Sequence, residues 1–300
     1  MKLASYKYNG VASIGRVHED RILDLVRAAA GVPTSMTEFL QGGPDMLARA
    51  NAVRFDEKRT VPLADVQLLA PVPRPSKYLA IGLNYQDHME EAIRKGLKVP
   101  TVQLWFNKQV SCVAGPYDPI HMPAVSDKLD YEIELGVVIG RRCRHVSAQN
   151  ASRVIAGYLV TNDVSVRDWQ SRSPTFTLGK SFDTHGPCGP FLVTADEIAD
   201  PHALEMKLTV NGTLRQASST SQMIYDIYAQ IAHLSTVMTL EPGDILATGT
   251  PKGVGAAMEP PQFLKVGDVV RAQIDGLGYI ENTVITEPPT LHSFGTRDPA

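Results

Sequence analysis

The sequence predicts an α+β protein, mainly β, and three observations carry that reading. Apolar residues alternate at period two through much of the chain. Two Asn-Gly pairs, Asn9-Gly10 and Asn211-Gly212, stand between such runs as two-residue hairpin turns. Helical periodicity is confined to a few segregated stretches, whereas a βαβ chain would alternate it with strands. With 300 residues, 43% of them hydrophobic, the chain can bury one large core or two smaller ones. A formal charge of −3 and the lack of a long basic run exclude nucleic acid and anionic membranes as expected partners and leave small molecules. Cys112, Cys143 and Cys188 are odd in number and form no C-x-x-C pattern, which predicts reduced thiols. No apolar run approaches the roughly 18 residues of a membrane span, and the first residues turn polar before a signal-peptide core could form. The expectation is a soluble, cytoplasmic protein.

Residues 1–30 read as strands at 2–8, 11–17 and 21–26, the first two joined by Asn9-Gly10. Ser35-Met36-Thr37-Glu38 is a capping-box pattern that opens a short helix through Leu40, and residues 44–50 make a second. Pro71, Pro73 and Pro75 impose an extended connector, so a boundary is expected near residue 70, between a small N-terminal domain (1–70) and a larger one (71–300). Residues 78–81 form a buried strand, followed by a polar helix over 86–95 that Gly96 can end. His88 and Glu91, three apart, share a face of that helix. A strand is expected over 102–107, a helix over 147–155, and a strand over 158–161 that leaves Asp163 just past its end. Residues 205–210 and 213–217 form the second hairpin. Ile224, Ile227, Tyr228, Ile231, Leu234 and Met238 recur at helical spacing and predict an amphipathic helix over 222–238. Strands at 244–248, 268–274 and 278–284 follow, and residues 288–300 lack periodicity, as a loose tail or one draped on a partner subunit would.

The chemistry centres on Asp130-Tyr131-Glu132-Ile133-Glu134. On a strand, period two puts Asp130, Glu132 and Glu134 on one face. Neighbouring carboxylates at that spacing repel by about 2–3 kcal/mol at an effective dielectric near 20. Either a hard divalent cation offsets this, or the face is solvated and screened. His88 with Glu91 reads as a base and its orienting carboxylate, or as two solvated helix residues. Lys180, between apolar residues and glycines, is a cation facing a pocket or a snorkelling surface lysine. Gly249 to Gly255 fails the phosphate-loop pattern, which needs Lys directly after its last Gly. It can instead be a turn whose N–H groups and Thr250 hydroxyl receive a carboxylate, or simply a tight turn between strands.

Taken together, Gly82-Leu83-Asn84-Tyr85 with His88-x-x-Glu91, the acidic stretch, Asn162-Asp163, Arg167-Asp168-Trp169-Gln170, Leu178-Gly179-Lys180-Ser181-Phe182, Val210-Asn211-Gly212 and Gly249-Thr250-Pro251-Lys252-Gly253 resemble the fumarylacetoacetate hydrolase family, in particular its acylpyruvase-like members. The motifs fall in family order over about residues 75–285. The resemblance implies a mixed β-sandwich roll for the catalytic domain and a homodimer. It also implies Mg²⁺ or Mn²⁺ on Glu132, Glu134 and Asp163, and a water-activating dyad of His88 and Glu91 on a lid helix. Lys180 and Gln170 would be polar groups around the substrate, and Thr250 a carboxylate contact. The activity implied is hydrolysis of a carbon–carbon bond in a 2,4-diketo acid through a metal-stabilised enolate. Decarboxylation, isomerisation or lyase chemistry of a 2-keto acid on the same platform, or a non-catalytic metal-binding protein of the same fold, are the alternatives. Two departures bear on the substrate-facing wall. Leu83 stands where many relatives carry Arg, and Lys108-Gln109 where they carry Lys-Pro.

Overall fold

The structure is a computed structural model, and it describes residues 1–96 and 99–289. Ten strands run in order across a long sheet: Thr60–Pro62, Arg21–Asp24, Val11–His18, Lys2–Tyr8, Gly186–Thr194, Ile155–Asn162, Ile133–Ile139, Ile245–Ala247, Tyr78–Gly82 and Leu104–Lys108. Two short strands pair off this path to make twelve. A second sheet of five orders Thr213–Ser219, Glu205–Val210, Val269–Ile274, Gly278–Thr286 and Ile120–Met122. Both hairpins form where the Asn-Gly pairs stand. Asn9 and Gly10 have φ of 50° and 80°, and Asn211 and Gly212 have 52° and 76°, the left-handed conformations that a two-residue turn needs.

The two sheets pack through alternate residues. Ile133, Leu135, Val137 and Ile139 cluster with Leu208, Val270, Ala272 and Ile280 of the second sheet. The opposite face is buried too, with Val138 packed among Leu3, Phe39, Leu192 and Ile245. Lys2 and Leu3 pair with Val193 and Leu192, so the N-terminal strands extend the same long sheet. The architecture is the expected one, α+β and mainly β, with helices segregated at the margins.

Several elements differ from expectation for physical reasons. The third strand stops at Asp24, whose carboxylate accepts from the Arg27 N–H and caps a four-residue helix, Leu25–Ala28. Residues 148–154 form a 3₁₀ helix and not an α-helix. The amphipathic helix begins only at Ile227, because Asp226 caps it through the Ala229 N–H at 2.7 Å, and Ile224 is left exposed. Gly186–Thr194, to which the sequence pattern assigns no element, carries two prolines and two glycines, poor strand formers, yet it is a nine-residue strand between Lys2–Tyr8 and Ile155–Asn162. From residue 290 onward the expected tail lies outside the described residues. No described helix is long and apolar enough to cross a membrane.

The largest correction concerns Asp130. The acidic stretch is not one strand: Leu129–Asp130 pairs with Ser165–Val166, the chain breaks step at Tyr131-Glu132, and Ile133–Ile139 enters the long sheet. Asp130 therefore leaves the face of Glu132 and Glu134. Its carboxylate accepts from Arg167 Nε (2.8 Å) and from the Gly255 and Ala256 N–H groups (2.8 and 2.9 Å), anchoring the glycine-rich turn.

Candidate active site

Glu134 projects from the Ile133–Ile139 strand, and Asp163 follows the paired strand Ile155–Asn162. Glu132 is locked between them: its N–H donates to Asn162 Oδ1 at 2.9 Å, and its carbonyl accepts from the Asp163 N–H at 2.8 Å. This brings one carboxylate oxygen from each of Glu132, Glu134 and Asp163 within 4.8 Å of the others, at 6%, 1% and 0% exposure. A solvated acidic face is ruled out by that burial.

Three cations answer these acids: Lys180 and Lys108 are buried, and Arg167 is half-buried. Lys180 Nζ lies 2.7 Å from both Glu132 Oε2 and Asp163 Oδ2. Lys108 Nζ donates to Asp163 Oδ1 at 2.5 Å and to the Val164 and Lys180 carbonyls. Arg167 spans Glu132 Oε1 (2.6 Å) and Asp130 Oδ2 (2.8 Å). Four carboxylates against three cations leave one negative charge, and the acid without a cation of its own is Glu134. Its Oε2 accepts from the Gly249 N–H at 2.8 Å. Burial, then the charges of Asp163 and Glu132, push its carboxyl well above the usual range. For Glu132 burial acts in the same direction, but Lys180 and Arg167 overcome it and hold the group at about 2. An all-oxygen triad with one uncompensated charge fits a hard divalent cation, and Glu132, Glu134 and Asp163 could hold one.

A cavity of about 360 Å³ opens over this floor, and His88, Glu91, Glu132, Glu134, Gln170, Lys180 and Thr250 all line it. The structure thus gathers every site residue expected from sequence around one cavity, with Asp163 just beneath it. The Gln86–Arg94 helix supplies the dyad, with His88 Nδ1 2.9 Å from Glu91 Oε2. Glu91 Oε1 accepts from the Gly253 N–H at 3.2 Å, so the glycine-rich turn also orients the carboxylate. Engaging Nδ1 leaves Nε2 as the ring nitrogen for proton transfer. Gln170 Oε1 accepts from Arg167 Nη1 at 2.9 Å. The Thr250 hydroxyl donates to the Ile133 carbonyl and accepts from Gln216 Nε2, both at 2.9 Å, which ties the turn to the strand carrying Glu134.

Sequence reasoning gave no role to Lys108 or Arg167. A signal existed for each. Lys108 alternates with the buried Phe106 on one strand face, an expensive place for an unpaired lysine, and Arg167 sits three residues before Gln170 on a short helix.

Such a fold, with a histidine–carboxylate pair lining the same cavity as a buried acidic triad that could hold a metal ion, marks the chain as an enzyme. The chain belongs to the fumarylacetoacetate hydrolase family: the family's sequence model, "Fumarylacetoacetate (FAA) hydrolase C-terminal", matches residues 77–285. A mitochondrial oxaloacetate tautomerase from Rattus norvegicus is 43% identical over 265 residues, 88% of this chain and 84% of that one. Fumarylacetoacetate hydrolase from psychrophilic Exiguobacterium antarcticum superposes with a TM-score of 0.83 at 36% identity, covering 96% of this chain and all of that one. Maleylpyruvate hydrolase from Sphingobium sp. SYK-6, in complex with manganese(II) and pyruvate, gives 0.75 at 34% identity with the same coverage. The cytoplasmic expectation is corrected by the first of these, since the rat relative is mitochondrial. Free thiols call only for reducing surroundings, which is no argument for one compartment over another.

Proposed function

We propose that the chain is a divalent-metal-dependent tautomerase that interconverts the keto and enol forms of a small 2-keto acid. The observation that carries this is the His88–Glu91 pair lining the same cavity as the buried triad. The activity named for the rat relative, and the pyruvate bound in the Sphingobium enzyme, support it. On Glu132, Glu134 and Asp163, Mg²⁺ or Mn²⁺ would supply Lewis acidity toward the 2-keto oxygen. Arg167 Nη2, a buried donor without a partner among the described residues, receives the substrate carboxylate beside Gln170. In the keto-to-enol direction His88 Nε2 takes a proton from C3 and the enolate oxygen takes one from solvent. In the reverse direction the enol O–H proton is lost to solvent and the imidazolium returns a proton to C3, while Glu91 holds the tautomer and steadies the imidazolium. Lys180 keeps Glu132 and Asp163 in place and adds positive charge near the developing oxyanion. Thr250 positions the turn next to the substrate.

A second reading, hydrolysis of a carbon–carbon bond in a 2,4-diketo acid, is favoured by the same Nε2, which could instead take a proton from attacking water. Proton NMR in D₂O with Mg²⁺ separates the two. Tautomerisation exchanges C3 protons and keeps the carbon skeleton, whereas hydrolysis of a diketo acid yields two fragments. If neither exchange nor fragments exceed an enzyme-free control, both readings fall.

The triad gives a direct test. Glu134→Gln removes the one carboxylate charge that no cation balances, so Mg²⁺ affinity by titration calorimetry is expected to fall about 10-fold or more, within the usual cost of a lost charged ligand. The metal-free melting temperature should stay level or rise. Undiminished affinity would remove Glu134 from the site.

A division of the chain near residue 70 and a homodimer belong to the same proposal. The family match beginning at residue 77 supports the first. The edge strand Thr213–Ser219 with its exposed Leu214 supports the second, because bare sheet edges are commonly covered. Sedimentation at micromolar concentration is expected to give twice the chain mass, and a fully active monomer would dismiss the dimer.

A further inference from the structure

Seven described residues other than glycine have positive φ, and only two of them are large and apolar: Leu83 at 53° and Phe176 at 61°. Bulky side chains seldom adopt this conformation, and when they do the surrounding structure has to impose it. Leu83 and Phe176 line the same cavity. At Leu83 the constraint is visible in its neighbour. Asn84 Nδ2 donates to the Thr248 and Tyr225 carbonyls (2.8 and 3.0 Å), its Oδ1 accepts from the Tyr225 N–H (2.9 Å), and its own carbonyl accepts from the Ile224 N–H (2.7 Å).

These two residues join Leu104 and Phe106 in an uncharged part of the lining. Phe106 meets Phe176 edge-on, with centroids 5.8 Å apart, and its ring centroid stands 5.2 Å from Lys180 Nζ, so the apolar surface begins where the charged floor ends. Leu104 packs against Gly82, where a Cβ would come within 3.3 Å of Leu104 Cδ2. The remaining lysine of the lining, Lys95, is paired with Glu259 at the exposed rim. Arg167 and Lys180 both belong to the floor, which the keto-acid head occupies.

We propose that this wall selects the distal end of the substrate: beyond C3 the 2-keto acid carries an uncharged hydrocarbon group that lies on Leu83, Leu104, Phe106 and Phe176. The inference rests on the 2-keto acid reading above and goes further, because a second carboxylate there would be desolvated with no unpaired cation among the described residues to receive it. The preferred substrate would therefore differ from the oxaloacetate named for the rat relative.

Calorimetric binding to the Mg²⁺-loaded protein tests this with three probes: oxalate for the head alone, 2-oxohexanoate for an alkyl end and 2-oxoglutarate for a carboxylate end. The alkyl probe is expected to bind about 10-fold or more tighter than the dicarboxylate, the scale on which apolar pockets discriminate. Leu83→Arg should reverse that order and leave oxalate unchanged. Phe176→Ala, a milder change should the first variant fold poorly, should weaken the alkyl probe alone. Equal binding of the two keto acids by the parent protein, or an unaltered ratio in the variants while oxalate still binds, would overturn the wall's role and spare the head-group reading. If oxalate and both keto acids fail to bind, the 2-keto acid reading falls and takes the inference with it.

Discussion

His88→Ala is expected to lower the turnover of an enolisable 2-keto acid by about 10²–10⁴-fold, the usual contribution of a general base, with Mg²⁺ affinity nearly unchanged. The separation follows from the geometry. His88 belongs to the Gln86–Arg94 helix and bonds Glu91, whereas the triad is held by strands and by Lys180, Lys108 and Arg167. Removing the imidazole therefore takes away the proton carrier and leaves the floor intact. Glu91→Gln should cost less, because a hydrogen-bond partner for Nδ1 remains while the charge that favours the imidazolium is lost. Decarboxylation of oxaloacetate, which needs neither a C3 proton removed nor a water activated, should survive His88→Ala better than tautomerisation or cleavage. Equal loss of all activities would mean that the helix serves mainly to close the site. Full retention of C3 exchange and of cleavage would sink the base assignment.

Lys108→Met is expected to destabilise the fold by about 3–5 kcal/mol, the usual cost of removing one partner from a buried ion pair. The ammonium is 1% exposed as part of its residue and serves three acceptors: Asp163 Oδ1 and the carbonyls of Val164 and Lys180. Methionine keeps much of the volume but serves none of them. Asp163 would be left to Lys180 alone, and the two carbonyls would lose a donor. In a chain of this size the loss corresponds to a melting-temperature drop on the order of 6–10 °C. Added Mg²⁺ should recover part of it, since a cation bound to the native triad stabilises by mass action. A melting temperature equal to the parent's, with or without Mg²⁺, would show that Lys108 does not balance Asp163.

The features legible in the sequence are those set by local rules. Asn-Gly pairs specify their hairpins because φ > 0 at both turn positions is intrinsic to those residues. A spacing of three on a helix brings His88 to Glu91 whatever the rest of the chain does. The placing of Glu134 within a strand and of Asp163 just past one followed from apolar periodicity. The family motifs added the grouping of these residues into one site, which local rules could not supply.

What remained was decided by contacts distant in sequence. Period two placed Asp130 beside Glu132 and Glu134, but Arg167 and the N–H groups of Gly255 and Ala256 draw it into a different pairing, and the strand breaks at Tyr131-Glu132. The strand Gly186–Thr194 exists because its two neighbours offer hydrogen-bonding edges, an advantage that outweighs the poor strand propensity of its glycines and prolines. Lys108 meets Asp163 across 55 residues, and Lys180 meets Glu132 across 48. Local sequence shows only that a lysine sharing a strand face with an apolar residue, as Lys108 does with Phe106, needs a partner. Which carboxylate answers it, and so which acid of the triad is left without a cation, depends on register between strands. The apolar wall is of the same kind: Leu83 and Phe176 are 93 residues apart in number, and only the packing of Phe106 and the bonds of Asn84 bring them to one cavity in a conformation that neither would adopt alone.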